Sequence, residues 1–313
     1  MTSTSSGNKS RILITGGSGL IGRYLTSRLL EEGYTVAHLS RKQDQFGRVR
    51  VHRWDPIRGI LDPAVLDGID IIIHLAGANI GERKWTEKRR KEIVSSRVDS
   101  SRLLYNKIIE NRIPLKAFIS ASAVGIYGSS TSEKIYSESD LSGSDFLAST
   151  CSKWEEAADA FEISGIRTVK IRNAMVLEKN DSALKRLMMP GKFGFLVSLG
   201  NGRQYMPWIH ISDLCEIYLR AVEDHGLSGV YNAVAPEYVS HNEFMKILAS
   251  KMRKPVFPVR VPSFLLRLAL GEMSSVVVKG SRISSDKITG SGFKFAFGNL
   301  NGALSDLLKE QKS

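Results

Sequence analysis

Thr15-Gly16-Gly17-Ser18-Gly19-Leu20-Ile21-Gly22 follows directly on the apolar run Ile12-Leu13-Ile14 and leads into Tyr24, Leu25, Arg28 and Leu29. A short apolar run, then a glycine-rich turn, then apolar residues at helical spacing reads as strand, tight turn and helix. Gly16, Gly19 and Gly22 let the chain turn sharply, let backbone amides approach a pyrophosphate, and let the helix pack close to the sheet. The amides of Leu20, Ile21 and Gly22 would open the helix, where backbone N–H groups and the helix dipole favour an anion. The stretch therefore predicts a dinucleotide site.

Working outward, β-rich apolar runs alternate with helical patterns through the first half, which predicts an α/β fold with a doubly wound parallel sheet, covered on both faces. Strands are expected near Arg11–Thr15, Thr35–Ser40, Val49–Trp54, Ile69–Leu75, Ala117–Ser122 and Thr168–Arg172. One long helix is expected from Trp85 to Asn111, stopping before Ile113-Pro114, and another from Asp145 to Ser164. After Val176 the rhythm changes. Glycines crowd residues 190 to 207, and shorter helices follow at Ile211–Glu223, His241–Lys251 and Ser263–Leu270, with a strand near Val230–Ala233. This divides the chain into a polar, disordered tail over 1–10, a nucleotide-binding domain over 11–176 with later returns from the second half, and a mostly smaller substrate-binding lobe over 177–313.

The chain has 313 residues, 42% of them hydrophobic, so it can bury a large core. No apolar stretch approaches the roughly 20 residues that span a bilayer, and the tail lacks the apolar segment of a secretory signal. No membrane partner is expected, and a cytoplasmic location is. Cys151 and Cys215 form no C-x-x-C and no Cys/His cluster, so neither a disulfide framework nor a metal site is indicated. The net charge of +12 is spread along the chain, and its densest run, Arg83 to Lys91, is interleaved with Glu87 and flanked by Glu82 and Glu92. That pattern describes a solvated helix face better than a nucleic-acid module, although it favours an anionic ligand.

At the end of the second strand, an NAD enzyme carries an acid for the ribose hydroxyls. Here the residues are Ser40-Arg41-Lys42. A hydroxyl, a guanidinium and an ammonium suit a 2′-phosphate, which selects NADP(H) over NAD(H).

These motifs resemble the extended short-chain dehydrogenase/reductase superfamily. Further stretches narrow the likeness to its atypical SDR39U1-type epimerase family, within the NAD-dependent epimerase/dehydratase group. They are His74 to Ile80, Lys84-Trp85-Thr86, Ser96-Arg97-Val98, Ser122 to Gly128, Lys153-Trp154-Glu155, Gly200 to Gln204, Trp208 to Leu214, Gly229 to Pro236 and Gly292 to Phe295. The resemblance covers residues 11 to 308 and implies a Rossmann-like doubly wound sheet with a small C-terminal substrate lobe and an NADP(H) site. It implies that Leu75, Ala76 and Gly77 lie against the cofactor near the adenosine ribose. It places Glu92 and Arg97 on the next helix, Arg97 where related epimerases use an Asn to reach the cofactor, and it puts Met175 and Val176 beside the nicotinamide.

The same resemblance implies a catalytic Ser followed by Tyr-x-x-x-Lys, in which residues at i and i+4 share a helix face and the ammonium lowers the phenol pKa. Ser122 fits the Ser position and Lys153 the Lys position, where the lysine would also bond the nicotinamide ribose. The residue four before Lys153 is Ser149, and no tyrosine is nearby. Tyr127, Tyr205 and His210 are candidates to move a proton in its place, each with a purely structural alternative. Two functions stand: an NADP(H)-dependent oxidoreductase or epimerase acting on a small polar or nucleotide-linked substrate, or a non-catalytic NADPH-binding or sensing protein acting through a partner. The oligomeric state is left open.

Overall fold

Three consecutive isoleucine and leucine side chains, Ile12, Leu13 and Ile14, are all fully buried, the mark of a parallel strand covered on both faces. The computed structural model describes residues 9–41, 47, 49–180, 183–257 and 260–309. Lys42 and most of the 1–10 tail lie outside these residues.

The strands are β1 (Arg11–Thr15), β2 (Thr35–Ser40), β3 (Arg50–Asp55), β4 (Ile60–Leu61), β5 (Ile71–His74), β6 (Ala117–Ala123), β7 (Ile135–Tyr136), β8 (Arg167–Asn173), β9 (Met175–Leu177), β10 (Trp208–His210), β11 (Gly229–Ala233) and β12 (Arg282–Ile283). Eight of them form one sheet in the order β11-β8-β6-β5-β1-β2-β3-β4. All its pairings are parallel except that of β3 with the short β4. Strand order reverses between β1 and β5, and in open α/β sheets the crevice beyond the strands' C-terminal ends at such a point is where ligands bind.

The helices are α1 (Leu20–Glu31), α2 (Glu87–Glu110), α3 (Phe146–Ile163), α4 (Ala183–Met188), α5 (Ile211–Glu223), α6 (His241–Met252), α7 (Ser263–Leu270), α8 (Ser275–Val278), α9 (Asp286–Gly290) and α10 (Leu300–Leu307). Their starts are written in the sequence. Thr86 caps α2 by accepting from Arg89 N, Asp145 caps α3 by accepting from Ala148 N, and Ser240 with Glu243 forms a capping box on α6. The helix expected over 85–111 thus begins two residues later, because Thr86 has extended backbone and serves as the cap.

The first core layer unites α1, β1, β5, β6 and β8 with α5 and β11, through residues such as Leu25, Ile14, Ile119, Leu214, Tyr218 and Ala233. Two elements from the second half thereby return to the sheet. A separate cluster centred on Trp208, Phe244, Leu248, Leu300 and Leu304 forms the smaller lobe. Among the described residues no helix is long and apolar enough to cross a membrane.

Candidate nucleotide site

Gly16 turns the chain at the end of β1 with φ +72°, a conformation in which a side chain is strained. A Cβ there would stand 3.0 Å from Ala76 N and from the Leu75 carbonyl, so the glycine lets the two strand ends meet. Leu75 N donates to Thr15 O, and Ala76 N to Thr15 Oγ1, both at 3.1 Å. A Cβ on Gly22 would meet Gly16 O at 2.5 Å and Gly17 Cα at 2.6 Å, which fixes how closely α1 packs beneath the turn. Gly19 differs. Its nearest neighbour would be Gly16 O at 3.2 Å, with nothing else within 4 Å, so internal packing alone demands little of it. Gly19 is also the N-cap of α1 and offers no side chain to the helix amides. Leu20 and Ile21 in the first turn pack against the core. The α1 N-terminus is thus left open toward the crevice, as an anion requires.

Register places the second strand's end alongside. Thr15 pairs with Leu39, so half-buried Ser40 and exposed Arg41 follow beside the glycine turn. His38, buried beneath Gly17, bonds Thr26 Oγ1 at 2.8 Å, and burial lowers its pKa to about 4. His74 at the end of β5 bridges Thr15 Oγ1 at 2.8 Å and Ser100 Oγ at 3.1 Å, and it too is held near 4 by burial. Both are neutral struts that join strand ends to helices.

Arg97 and Glu92, both on α2, have different environments. Glu92 is held by Arg89 at 2.8 Å and Arg83 at 3.4 Å. The Arg89 hydrogen bond chiefly lowers its pKa, and the charge of Arg41 contributes. Arg97 is half-buried: Nη1 donates to Ala78 O at 3.1 Å and Ile93 O at 2.9 Å, and its guanidinium lies 5.0 Å from the Trp154 ring centroid. Among the described residues no carboxylate pairs with it, and burial lowers its pKa to about 10. It lies directly beneath Gly77, where a Cβ would stand 2.9 Å from Arg97 Cζ. Val176 lies in β9, half-buried and paired with Ile209 of β10.

The apolar stripe of α3, from Leu147 through Cys151, Trp154 and Ala158 to Phe161, has its last four residues buried, as their helical spacing leads one to expect. Ser149 and Lys153 are both exposed. The residues that face the end of β6 are Leu147 and Cys151, which would be 3.6 and 3.9 Å from a Cβ on Gly125. Two steps turn a helix about 200°, so Lys153 lies on the face opposite Cys151. Cys151 is buried, and desolvation pushes its thiol up to about 12.

Ser122 also has a partner that the sequence reading missed. Its hydroxyl donates to Glu155 Oε1 at 2.6 Å, and it is 2% exposed. Glu155 in turn accepts from Arg172 Nε at 2.8 Å and Nη2 at 2.9 Å. Arg172 Nη1 donates to the Tyr127 hydroxyl at 2.8 Å, which donates to Asn232 Oδ1 at 2.7 Å. Burial raises the Tyr127 pKa against the opposing Arg172. For Arg172 burial works to lower the pKa, and the bond to Glu155 overrides it, so the charge is secured. The visible signal for this chain was Glu155 falling on the buried stripe of a helix. His210 caps α5 through Ser212 N, with its pKa lowered to about 4 by burial, and Tyr205 bonds Glu133.

The comparisons with known proteins now have a geometry to meet. The family model of the NAD dependent epimerase/dehydratase family matches residues 12–154, and that of a domain of unknown function, DUF1731, matches residues 261–307. The chain is 38% identical to Epimerase family protein YfhF of Bacillus subtilis, covering 96% of this chain and 99% of that one. It is 33% identical to mouse Epimerase family protein SDR39U1 over 95% and 99%. Among solved structures it matches human SDR39U1 crystallised with NADPH at TM-score 0.84 and 29% identity, covering 95% of this chain and 99% of that one. It also matches a nucleoside-diphosphate sugar epimerase from Corynebacterium glutamicum at TM-score 0.78 and 30% identity, covering 96% of this chain and 58% of that one. Rossmann-like topology, open glycine turn and similarity along nearly the whole length agree: the chain belongs to the SDR39U1-type epimerase family, an atypical branch of the short-chain dehydrogenases/reductases.

Proposed function

We propose that this protein binds NADP(H) across the β1/β5 switch point, and that binding, rather than turnover by a Tyr-Lys couple, is what its site is built for. The observation that carries this is Arg97: a half-buried guanidinium under Gly77 that, among the described residues, bonds carbonyls and an aromatic face and no carboxylate, which an anionic group would complete. Gly19, of which internal packing demands little beyond a 3.2 Å approach to Gly16 O, gives a pyrophosphate room at the α1 amides. Ser40 and Arg41 would receive the 2′-phosphate, Leu75 to Gly77 the adenosine ribose, and Val176 would border the nicotinamide. The human relative crystallised with NADPH supports the same choice of cofactor. When bound, the cofactor supplies hydride chemistry. This chain's own residues orient it and exclude water.

An oxidoreduction or epimerisation of a small polar or nucleotide-linked substrate is the second reading, supported by the family. It needs a proton carrier beside the end of β6. Leu147 has no titratable group, Cys151 stays protonated at neutral pH, and the Ser122 and Tyr127 hydroxyls already donate to Glu155 and Asn232. A non-catalytic, cofactor-sensing role fits these environments better.

Fluorescence titration tests the first reading. NADPH is expected to bind more tightly than NADH, with the preference reduced in Arg41→Ala and affinity for both lowered in Arg97→Met. Tighter binding of NADH would overturn it. Consumption of NADPH against carbonyl compounds or nucleotide sugars, abolished by Ser122→Ala, would establish the second reading.

A further inference from the structure

None of the eight residues of α7, Ser-Phe-Leu-Leu-Arg-Leu-Ala-Leu, is buried, although six of them are apolar. Phe264 is 69% exposed and Leu268 77%. Helices of folded proteins hide such faces. Further apolar side chains stand open nearby, with Phe193 78% exposed and Phe257 45%. The backbone pairs the two segments that carry these residues and lead into α7: Phe257 N donates to Leu196 O at 2.7 Å and Gly200 N to Val261 O at 2.9 Å, and the Phe195 and Phe257 rings lie 5.2 Å apart.

The two segments that carry this surface have charge of a single sign, and the neighbouring 82–92 segment, whose Lys84 bonds Leu268 O, carries charges of both signs. Between Glu243 and Glu272 the chain carries six Lys or Arg and no Asp or Glu, and between Asp181 and Asp213 four and none. Lys192, Arg253, Lys254, Arg260, Arg267 and Lys279 are all exposed. Glu272, the acid at the margin, is taken by Arg90. A second copy of this chain is a poor occupant, because a two-fold contact would lay this basic rim against itself. Exposed phenylalanine and leucine within a cationic border instead complement a surface that is apolar beneath and anionic above.

We propose that this face of the smaller lobe docks peripherally on anionic phospholipid membranes, with Phe264 and Leu268 entering the headgroup boundary and the surrounding Lys and Arg contacting lipid phosphates. Such contact needs no spanning helix. It places part of the net charge of +12 at a binding surface rather than on a merely solvated one.

Co-sedimentation of the full chain with vesicles tests this. Binding is expected to vesicles containing about a third phosphatidylglycerol, to be weak on pure phosphatidylcholine, and to decline as salt rises. Phe264→Ser with Leu268→Ser, and separately Lys254→Gln with Arg267→Gln, are each expected to weaken it about tenfold or more while thermal unfolding stays unchanged. No preference for anionic vesicles, or unchanged binding by both variants, would overturn the proposal. So would a dimer in sedimentation that the Phe264/Leu268 variant disperses, or single-stranded DNA bound in preference to the vesicles. None of these readouts depends on the cofactor.

Discussion

Ser122 and Glu155 are joined by a 2.6 Å hydrogen bond in which the serine donates, so the hydroxyl proton at the end of β6 is directed into the α3 interface. Glu155 also holds Arg172 through two bonds, with side chains 10% and 7% exposed. A buried pair of this kind contributes little net stability, but losing one partner strands the other charge.

Glu155→Ala is therefore expected to destabilise the protein by about 3–5 kcal/mol, measured by urea unfolding. Replacing both partners with apolar residues, Glu155→Leu with Arg172→Met, is expected to recover much of that loss. If the single variant unfolds like the wild type, Arg172 has another way to be satisfied.

The three glycines of the turn separate packing from ligand approach. Gly22→Ala meets backbone at 2.5 Å and is expected to cost about 1–3 kcal/mol in stability as well as weakening NADPH. Gly19→Ala meets only Gly16 O at 3.2 Å, so its melting temperature should stay close to wild type while NADPH affinity falls. Unchanged affinity in Gly19→Ala would mean that the pyrophosphate does not approach this point.

Acid sensitivity follows from four histidines. His38, His74, His210 and His241 are all held at about 4, chiefly by burial. Each folded pKa lies below the unfolded value of about 6.5, so between those limits the unfolded chain binds more protons and stability rises with pH. Their contribution is complete above about pH 6.5 and declines on acidification toward pH 4, by up to about 1.4 kcal/mol per pH unit for each histidine. Chemical denaturation over that range checks it, and a His38→Gln variant should show a shallower slope.

Cys151 is expected to resist alkylation by iodoacetamide at pH 8 in the folded protein and to react readily once unfolded, since burial keeps it a thiol. Mass spectrometry reads the difference. Rapid modification of the native chain would contradict the environment described for α3.

The glycine turn, the strands of the first half and most helix starts were legible because they rest on local rules: φ at Gly16, the caps Thr86 and Asp145, and apolar runs of strand length. Membership in the family was legible too, from motifs along the chain. So was the inward face of α3, from the apolar stripe that ends in buried Cys151, Trp154, Ala158 and Phe161. Ser149 and Lys153 share an i, i+4 helix face, but that spacing alone does not say what the face meets. Packing places Leu147 and Cys151 beside Gly125 and leaves Ser149 and Lys153 exposed. The chain from Ser122 through Glu155, Arg172 and Tyr127 to Asn232 spans 105 residues between Tyr127 and Asn232 alone, and only the sheet brings its members together. The sequence by itself thus determined a dinucleotide-binding architecture and where its glycine turn falls, since those depend on neighbours along the chain. Tertiary structure decided which hydroxyls and charges satisfy one another and which, like the guanidinium of Arg97, meet no carboxylate among the described residues, because burial and partnership across the sheet depend on neighbours in space.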